Sequence, residues 1–341
     1  MKLPQIFERY RAAIDAELRS VFAQRRSELY DSMRYHLGWI DEKGRPLQNS
    51  VGKALRPTLC LLACEAVGGD FHQALPAAAA IELVHNFSLI HDDIQDEDRE
   101  RRHRPTVWSL WGKPQAINSG TAMRVLASLA MLRLAERGIA PQRQIRAQRI
   151  LDESCLSLIE GQWLDLSFER RLDIGVNDYL KMIEKKTAAL ISCSLEIGAL
   201  LGTEDEFIIS SFRDFGQNLG LAFQIRDDIL GIWGEEEKTG KPQGSDIYRK
   251  KKSLPIVYAL ERAKDELKTA LINIYQGKAI DNKELNKVLQ ILQELNAQDY
   301  AQRMAEEYLS HALESINKLR LPSWALDSLE EVAQFLTKRD F

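Results

Sequence analysis

The chain has 341 residues, of which 45% are hydrophobic and 28% charged, and its formal net charge at pH 7 is −4. This is the balance of an ordinary globular protein, and a negative chain is a poor general binder of nucleic acid, which needs a positive face. No apolar run reaches the roughly 20 residues of a membrane span, and the N-terminus becomes charged too early for a secretory signal. The four cysteines include no CxxC pair or Cys/His cluster, which predicts buried, reduced thiols and a cytoplasmic protein.

Helical patterns occupy almost the whole chain. A charged amphipathic pattern predicts one helix over 4–37, and a polar loop follows over 39–49. The next helix begins near Lys53 and Arg56, which at a helix start are usually solvated but can hold an anion beside the dipole. Further helices are predicted over 75–94, 116–137, 142–171, 177–201 and 204–233, with four more after Pro255. Because no strand-like alternation and no linker interrupts them, we predict a single all-α domain over residues 1–341.

The helix over 75–94 ends in a cluster of carboxylates. Asp92, Asp93 and Asp96 lead directly into a basic run. Spacings of three and four residues return to one helix face, so His85 and Ser88 share a stripe with Asp92 and Asp96. Like charges on an otherwise buried helix repel unless a cation holds them together, and hard oxygen ligands suit Mg²⁺ or Mn²⁺.

A second acidic stretch lies about 135 residues further on. Asp227 and Asp228 share a helical stripe with Gln224, and basic residues follow at Lys241 and over 250–252. The two stretches predict two helices that face each other across a cavity. Each would deliver carboxylates to metal ions, with lysines and arginines to hold phosphate.

Polar residues also lie inside other apolar helices. Lys186 and Thr187 are in the middle of one, where a lysine is costly unless it meets an acid or a phosphate. A salt bridge and phosphate binding both explain Lys186. Gln162 and Asp165, three residues apart, fit equally well as satisfied core groups or as functional ones.

Other nucleotide- and metal-binding motifs are excluded by spacing. In GEEEKTGKP (234–242) five residues separate the glycines and Pro242 follows Lys241, which does not match a phosphate-binding loop. A calcium loop that begins at Asp92 would need Gly and Glu where Glu97 and His103 stand. The chain has no GxSxG, HExxH or dinucleotide-binding signature.

Together these motifs resemble those of the trans-isoprenyl diphosphate synthases, also called polyprenyl synthetases. The matching segments have the same order and spacing over essentially the whole chain: GKALRP (52–57), LIHDDIQDEDRERRHRPT (89–106), GQWLDL (161–166), KT (186–187), and GLAFQIRDDILG and GKPQGSDIYRKKKSLP (within 220–255). The resemblance implies an antiparallel all-helical bundle around a deep central cavity, in a homodimer. It also implies condensation of isopentenyl diphosphate with an allylic diphosphate, assisted by three Mg²⁺ ions or by Mn²⁺.

The resemblance also implies a role for each matching residue. Direct metal ligands would be Asp92, Asp96 and Asp227, with Asp93 and Asp228 as supporting carboxylates. The residues that grip the allylic diphosphate would be Arg101, Lys186 and Lys241, assisted by Lys251. The isopentenyl diphosphate site would comprise Lys53, Arg56, His85 and Arg102, and the residues lining the pocket would include Thr187, Phe223 and Gln224.

Product length is predicted from the residues before the first acidic stretch. Phe87 and Ser88 stand five and four residues before Asp92. In the family, bulk there closes the floor of the chain pocket, and an aromatic residue with this short motif resembles the archaeal type of geranylgeranyl diphosphate synthase. We therefore expect a C20 product, with the C15 farnesyl diphosphate next.

Three positions depart from the family pattern. Gly231 stands where the second DDxxD motif usually ends in Asp, but metal binding should survive because Asp227 remains. Gly120 is followed by Thr121 where the family often has Asp, and Ser253 replaces a usual Thr but keeps the hydroxyl.

Two alternative functions remain open. One is a class I terpene cyclase with the same fold, although a cyclase has no second diphosphate to bind and would not need Lys53, Arg56, His85 and Arg102. The other is a non-catalytic partner subunit of another prenyl synthase. Only Gly231 favours that second alternative.

Overall fold

The structure is a computed structural model that describes residues 3–47, 52–235 and 242–338. The chain divides into two compact units. The N-terminal unit comprises Gln5–Asp152 and Ser194–Ile209, and the C-terminal unit comprises Met1–Pro4, Glu153–Cys193 and Ser210–Phe341. The single domain over residues 1–341 stays a prediction.

The described elements of the N-terminal unit are helices and one short hairpin. Its elements are α1 (Gln5–Val21), α2 (Glu28–His36), α3 (Leu55–Ala66), α4 (Phe71–Gln95), β1 (Glu100–Arg101), β2 (Arg104–Pro105), α5 (Val107–Trp111), α6 (Lys113–Leu132) and a 3₁₀ turn (Arg133–Arg137). Helix α4 packs against both α3 and α6, and its residues 77–81 are all buried. A helix that is apolar on every side belongs inside a protein. Small alanines let the neighbouring helices approach it closely.

Two local predictions for this unit are wrong. The predicted single helix over 4–37 is interrupted between α1 and α2, where Ser27 is extended with φ −178°. Ser27 before Glu28 and Asp31 is a typical helix start, because acids in the first turn complement the dipole. The hairpin was not predicted because strands of two residues show no alternation. Its turn is formed by Arg102 and His103, both with positive φ (53° and 60°), as a two-residue hairpin turn requires.

The remaining helices of the described residues lie wholly or partly in the C-terminal unit. The remaining elements of the chain are α7 (Pro141–Phe168), α8 (Val176–Ile183), a π turn (Glu184–Ala188), α9 (Ala189–Gly202), α10 (Glu206–Trp233), α11 (Ser245–Tyr248), α12 (Leu254–Arg262), α13 (Asp265–Gln276), α14 (Asn282–Glu294), α15 (Ala297–Asn317) and α16 (Ser323–Lys338). Helices α7, α9 and α10 have residues in both units. Over 254–338 the structure has five helices where four were predicted, because Ala263 is extended and separates α12 from α13.

The core of the C-terminal unit consists of two apolar clusters. One surrounds Tyr179 and Ile225, and the other surrounds Leu271 and Val288. The four cysteines of the chain are buried, as predicted. Among the described residues, no helix is both long enough and apolar enough to span a membrane.

Candidate active site

The first acidic stretch forms the C-terminal end of α4. The backbone N–H of Asp96 donates to the Asp92 carbonyl oxygen over 2.8 Å, which closes the last turn of the helix. The Asp92 side chain is half-buried and Asp96 is exposed, whereas Asp93 is only 1% exposed. Two of the three predicted metal-binding carboxylates are therefore accessible and the third faces the protein.

Asp93 fastens the hairpin to α4. Arg101 Nε donates to Asp93 Oδ1 over 2.7 Å. The second oxygen, Oδ2, is buried and has no hydrogen-bond partner among the described residues. Burial raises the pKa of Asp93 to about 6, although the charge of Arg101 opposes that rise. The stretch thus holds a buried carboxylate with one oxygen bonded to an arginine and the other open to a further donor or cation.

Three of the residues predicted to bind isopentenyl diphosphate are coupled by charge, and the two arginines among them also interact with Glu82 on α4. Burial lowers the pKa of Arg56 to about 10, with the charge of Glu82 opposing. Burial also lowers the pKa of Arg102, again opposed by Glu82. The pKa of His85 lies well below its usual value because of burial and then the charges of Arg56 and Arg102. His85 is consequently neutral at pH 7, and the single carboxylate of Glu82 offsets only part of the charge of the two arginines.

This basic group is open to an anion. Arg56 Nε is buried and has no hydrogen-bond partner among the described residues. Gly52, with φ +130°, lies directly against the Arg102 guanidinium, since a Cβ at this position would be 3.1 Å from Arg102 Nη1. Lys53 is exposed at the start of α3. The structure therefore brings GKALRP next to the tip of the hairpin.

A small pocket beside the Asp93–Arg101 pair contains residues that sequence reasoning missed. Its lining includes Tyr35 and His36 from α2 and Arg104 from the hairpin. Arg104 donates to the carbonyl oxygen of Tyr35 over 3.1 Å and stacks over its ring. Burial and the neighbouring arginines lower the pKa of His36 to about 3. Only the packing of α2 beside the hairpin brings these residues here, and no local motif signals it.

The two residues predicted to set chain length lie on the buried side of α4. Phe87 is 5% exposed, and its ring meets the His91 ring edge-on with centroids 5.6 Å apart. Ser88 Oγ donates to the His85 carbonyl oxygen of its own helix over 2.8 Å. Gly120 of α6 lies so near that a Cβ there would be 2.4 Å from His91 Cδ2. The glycine allows α6 to approach α4 beside Phe87.

The second acidic stretch has a buried centre at Asp228 in α10. This carboxylate is 0% exposed and accepts four hydrogen bonds. The donors are Tyr179 Oη (2.5 Å), Lys251 Nζ (3.0 Å), Gln224 Nε2 (3.2 Å) and the Leu254 backbone N–H (2.9 Å). Asp227, the residue before it, is exposed. Asp228 therefore holds the start of α12 and two predicted substrate-binding side chains in place.

Lys186 and Thr187 lie in the π turn between α8 and α9. Such turns often occur at functional sites. Lys186 Nζ is bonded to Asp165 of α7, and Thr187 Oγ1 donates to Gln224 Oε1 over 2.7 Å. A Cβ at Gly161 would be 2.2 Å from the Lys186 backbone nitrogen, so α7 presses directly on this turn. The salt bridge that could explain Lys186 is present.

Two further residues were predicted to bind substrate. Phe223 is half-buried on α10, next to Gln224. Lys241 lies outside the described residues.

Comparison with known proteins identifies the family. A family model for polyprenyl synthetases matches residues 38–292. The chain belongs to the polyprenyl synthetase family. It is 39% identical over 308 residues to a (2E,6E)-farnesyl diphosphate synthase of Mycobacterium tuberculosis, covering 89% of this chain and 84% of that one.

Two further relatives support the same conclusion. A geranylgeranyl diphosphate synthase of Mycobacterium tuberculosis is also 39% identical, over 312 residues, covering 91% of this chain and 88% of that one. A polyprenyl synthetase from Streptomyces coelicolor A3(2) has a crystal structure that superposes with a TM-score of 0.90 at 36% identity, covering 97% of this chain and 98% of that one. The predicted family, all-α fold and prenyltransferase activity are thus confirmed. The protein makes short-chain trans-prenyl diphosphates, and the relatives do not separate C15 from C20.

Polyprenyl synthetases generally depend on a metal ion. Among the described residues, no three His, Cys, Asp or Glu side chains converge into a ready-made metal site. The donor chemistry nevertheless fits a hard divalent cation, which prefers carboxylate oxygens. Asp92, Asp96 and Asp227 are accessible carboxylates, and the open Oδ2 of Asp93 is a buried oxygen without a protein donor in the described part of the chain.

Proposed function

We propose that this polyprenyl synthetase condenses isopentenyl diphosphate head-to-tail with an allylic diphosphate and stops at the C20 product, geranylgeranyl diphosphate. The observation that carries the length assignment is the position of Phe87. Its ring is buried, braced edge-on by His91, and lies five residues before Asp92 on α4. An aromatic ring held by a neighbouring ring can block further growth of the prenyl chain, because core side chains are closely packed and their displacement costs free energy. The C15 product is the next candidate.

The basic side chains divide into two proposed diphosphate sites. Isopentenyl diphosphate would be held by Arg56, His85 and Arg102, with Lys53 beside them. The Arg56 Nε, unpartnered among the described residues, and the excess of arginines over Glu82 support this assignment, since buried cations favour an anion. The allylic diphosphate would be gripped by a second set of cations: Arg101, Lys186, Lys241 and Lys251.

The proposed metal ligands are Asp92, Asp96 and Asp227, with Asp93 and Asp228 in support. We propose Mg²⁺ as the metal, three ions in each active site, with Mn²⁺ able to replace it. Bound Mg²⁺ would neutralise the charge that develops on the departing diphosphate. The bonds of Asp93 to Arg101 and of Asp228 to Lys251 support the assignment of these two carboxylates as supporting groups.

In the proposed reaction, the protein stabilises the charges that develop as bonds break and form. The allylic C–O bond breaks and its electron pair leaves with the diphosphate, whose charge the lysines and arginines stabilise. The double bond of isopentenyl diphosphate attacks the allylic cation and forms the new C–C bond. The resulting cation loses a proton to the departed diphosphate, which restores an alkene. No protein nucleophile takes part, so the side chains bind, orient and exclude water.

The partner and compartment are also proposals. Helix α6 exposes a stripe of apolar side chains: Ile117 (48%), Val125 (55%), Leu129 (42%) and Leu132 (55%). Exposed apolar side chains that cluster on one helix are typical of an interaction surface, and we propose a second copy of this chain as its occupant. Sedimentation of Leu129→Asp should then report a smaller species than the unsubstituted protein, and an unchanged mass would remove α6 from the interface. The proposed compartment is the cytoplasm, as the cysteine pattern predicts.

The test of the function uses the purified chain alone. The protein is incubated with Mg²⁺, radiolabelled isopentenyl diphosphate and one primer at a time: dimethylallyl, geranyl or farnesyl diphosphate. Label should pass into longer linear products only when metal is present, and chelation should abolish it. Failure with all three primers would contradict the proposal. Conversion of geranylgeranyl diphosphate alone would then indicate a cyclase.

A further inference from the structure

The hairpin that carries Arg101 and Arg102 is fastened to helix α2 by two side chains, Tyr35 and Arg104. Tyr35 is 2% exposed near the end of α2, and its Oη donates to the Pro105 carbonyl oxygen over 2.8 Å. In the opposite direction, Arg104 Nη1 donates to the Tyr35 carbonyl oxygen over 3.1 Å, and the guanidinium carbon lies 4.1 Å from the centre of the Tyr35 ring. Two hydrogen bonds and a cation–π contact therefore join α2 to strand β2.

Arg104 extends this connection to the polar loop that follows α2. Its Nη2 donates to the Ile40 carbonyl oxygen over 2.9 Å. Ile40 pairs with Pro46 in an isolated β-bridge, and the Leu47 N–H donates to the Trp39 carbonyl oxygen over 2.9 Å, so this loop has a defined backbone. A guanidinium suits such a junction because its planar set of N–H donors holds several acceptors in a fixed geometry. Arg104 thus fixes the hairpin relative to both the helix and the loop.

These contacts determine where the tip of the hairpin lies. Arg104 is the cross-strand partner of Arg101, and Arg102 is the first residue of the turn between the two strands. Arg101 has a second anchor, because its Nε donates to Asp93 Oδ1. Arg102 lies against Gly52, so a shift of strand β2 would move its guanidinium relative to the start of GKALRP. The position of Arg102 therefore depends on the Tyr35–Arg104 contacts more strongly than the position of Arg101 does.

The concentration of positive charge makes such a support necessary. Arg101, Arg102 and Arg104 are close enough together that, after burial, their charges lower the pKa of His36. Like charges repel one another, so the hairpin must be held by contacts that outweigh this repulsion before an anion binds. The acceptors of Arg104 are backbone carbonyl oxygens and an aromatic face, which hold the guanidinium without neutralising it. The charge of this group thus remains available to a diphosphate.

We propose that Tyr35 and Arg104 are positioning residues for isopentenyl diphosphate, and that they hold the hairpin so that the Arg102 guanidinium faces this substrate. Neither residue needs to touch the substrate itself. The inference rests on the proposed function, in which Arg102 binds isopentenyl diphosphate and Arg101 binds the allylic diphosphate. Loss of the Tyr35–Arg104 contacts should weaken the binding of isopentenyl diphosphate selectively, because Asp93 continues to hold Arg101 in the allylic site. Helix α2, which carries no predicted site residue, thereby contributes to the affinity for one of the two substrates.

The test compares Tyr35→Phe, Tyr35→Leu and Arg104→Gln. Tyr35→Phe removes only the hydroxyl bond to strand β2, Tyr35→Leu also removes the ring beside the guanidinium, and neither changes a charge. Calorimetry without a primer measures the dissociation constant of isopentenyl diphosphate, and initial rates give the KM of each substrate. We expect Arg104→Gln and Tyr35→Leu to weaken the binding of isopentenyl diphosphate about tenfold and the conservative Tyr35→Phe about threefold, the effects of losing a charged and a neutral hydrogen bond. The KM of the allylic diphosphate should stay close to that of the unsubstituted protein.

Arg34→Gln is the matched control. Arg34 lies on the same helix and donates to the carbonyl oxygens of Phe22 and Arg25, so its replacement removes comparable bonds that do not reach the hairpin. It should lower the free energy of unfolding, as Arg104→Gln does, but leave the affinity for isopentenyl diphosphate unchanged.

Three results overturn the inference. They are an unchanged affinity for isopentenyl diphosphate in folded Tyr35→Leu and Arg104→Gln proteins, an equal loss of affinity for both substrates, and an equal loss in Arg34→Gln. If the larger changes prevent folding, the dissociation constant of Tyr35→Phe decides in the same way. If the unsubstituted protein binds isopentenyl diphosphate but elongates no primer, the proposed function fails, while these dissociation constants still decide the role of Tyr35 and Arg104.

Discussion

Arg101 Nε and Asp93 Oδ1 lie 2.7 Å apart, and this ion pair joins the hairpin to the end of α4. Lys251 and Asp228 form the corresponding pair in the C-terminal unit, with 3.0 Å between Nζ and Oδ1. In both acidic stretches the second aspartate is buried and bonded to a cation that follows it in the chain. The first aspartate of each stretch, in contrast, remains accessible. Adjacent aspartates therefore have different surroundings, which suits one to an external ligand and the other to positioning a cation.

The Asp93–Arg101 pair should be strongly coupled. Removing one partner of a buried pair leaves an uncompensated charge, so Arg101→Gln is expected to lower the free energy of unfolding by about 3 kcal/mol. The double variant Asp93→Asn/Arg101→Gln should lose less than the sum of the single variants. Urea unfolding of the four proteins measures this coupling.

A surface pair provides the matched control. Arg45 and Asp41 form an ion pair in which the arginine side chain is 69% exposed. Arg45→Gln should change the unfolding free energy by less than about 1 kcal/mol. Additive losses at Asp93 and Arg101 would mean that the pair does not act as a unit.

The length of the product should depend on Phe87. Phe87→Ala removes the ring that we propose as the floor of the chain pocket, so products should extend by one or more isoprene units. A Phe→Ala substitution in a core typically costs about 3–5 kcal/mol of unfolding free energy. Phe22→Ala removes an equally buried ring elsewhere in the same unit and should keep the original length. Chromatography of the labelled products measures their chain length. Products of unchanged length from Phe87→Ala would exclude Phe87 as the floor of the chain pocket.

Stability should fall in mild acid because of two histidines. Burial and then the charges of Arg101, Arg102 and Arg104 lower the pKa of His36 from 6.5 to about 3, while a hydrogen bond to Asn86 opposes the change. The pKa of His85 is also well below 6.5. The unfolded chain therefore binds protons between pH 6.5 and 3 that the folded chain does not. The free energy of unfolding decreases as pH falls through this window, by roughly 1.4 kcal/mol per pH unit for the His36 imidazole, and His85 contributes in the same direction.

His36→Asn isolates one of these contributions. Its unfolding free energy, measured in urea between about pH 6 and pH 5, should depend on pH less steeply than that of the unsubstituted protein by about one proton. The exposed His311 provides the control, since His311→Asn should leave the slope unchanged. Equal slopes for the His36→Asn and unsubstituted proteins would show that His36 protonates freely in the folded state.

The contact between Gly161 and Lys186 predicts a specific loss of substrate affinity. A Cβ at 161 would be 2.2 Å from the Lys186 nitrogen, so Gly161→Ala must displace the π turn. Because Lys186 is proposed to hold the allylic diphosphate, the KM for that substrate should rise by about tenfold or more, the effect of losing over 1.4 kcal/mol of binding.

Gly202→Ala is the matched control for this substitution. Its Cβ would meet the Cys64 carbonyl oxygen at 2.6 Å and should destabilise the fold by a similar amount. Overpacking of this kind costs about 1–3 kcal/mol. A similar rise in KM for both variants would indicate a general effect of instability.

The sequence predicts some parts of the site well. Helix α4 and the acid-rich part of α10 are predicted because apolar periodicity and carboxylate spacing are local properties. The break before Ser27 was missed, although Ser27 and Glu28 form a recognisable start signal. The hairpin was missed because its strands are too short for a pattern. For each of these elements, any sequence signal that predicts it lies within a few neighbouring residues.

Contacts between residues that are distant in the chain cannot be predicted from such local patterns. Glu82 and His36 carry no motif that distinguishes them, and their roles depend on which helices pack together. Gly231 could be recognised as a departure, but the Asp246 side chain that lies against it comes from another helix. The Lys186–Asp165 ion pair could not be predicted either, because the sequence is compatible with a structural or a functional role for each of the two residues.

The most direct measurement is the chain length of the product that the purified protein makes from farnesyl diphosphate and radiolabelled isopentenyl diphosphate with Mg²⁺. Addition of one isoprene unit, giving labelled geranylgeranyl diphosphate and no longer product, is the expected result. It would support both the condensation and Phe87 as the stop. No incorporation of label from farnesyl diphosphate, or products longer than C20, would contradict it.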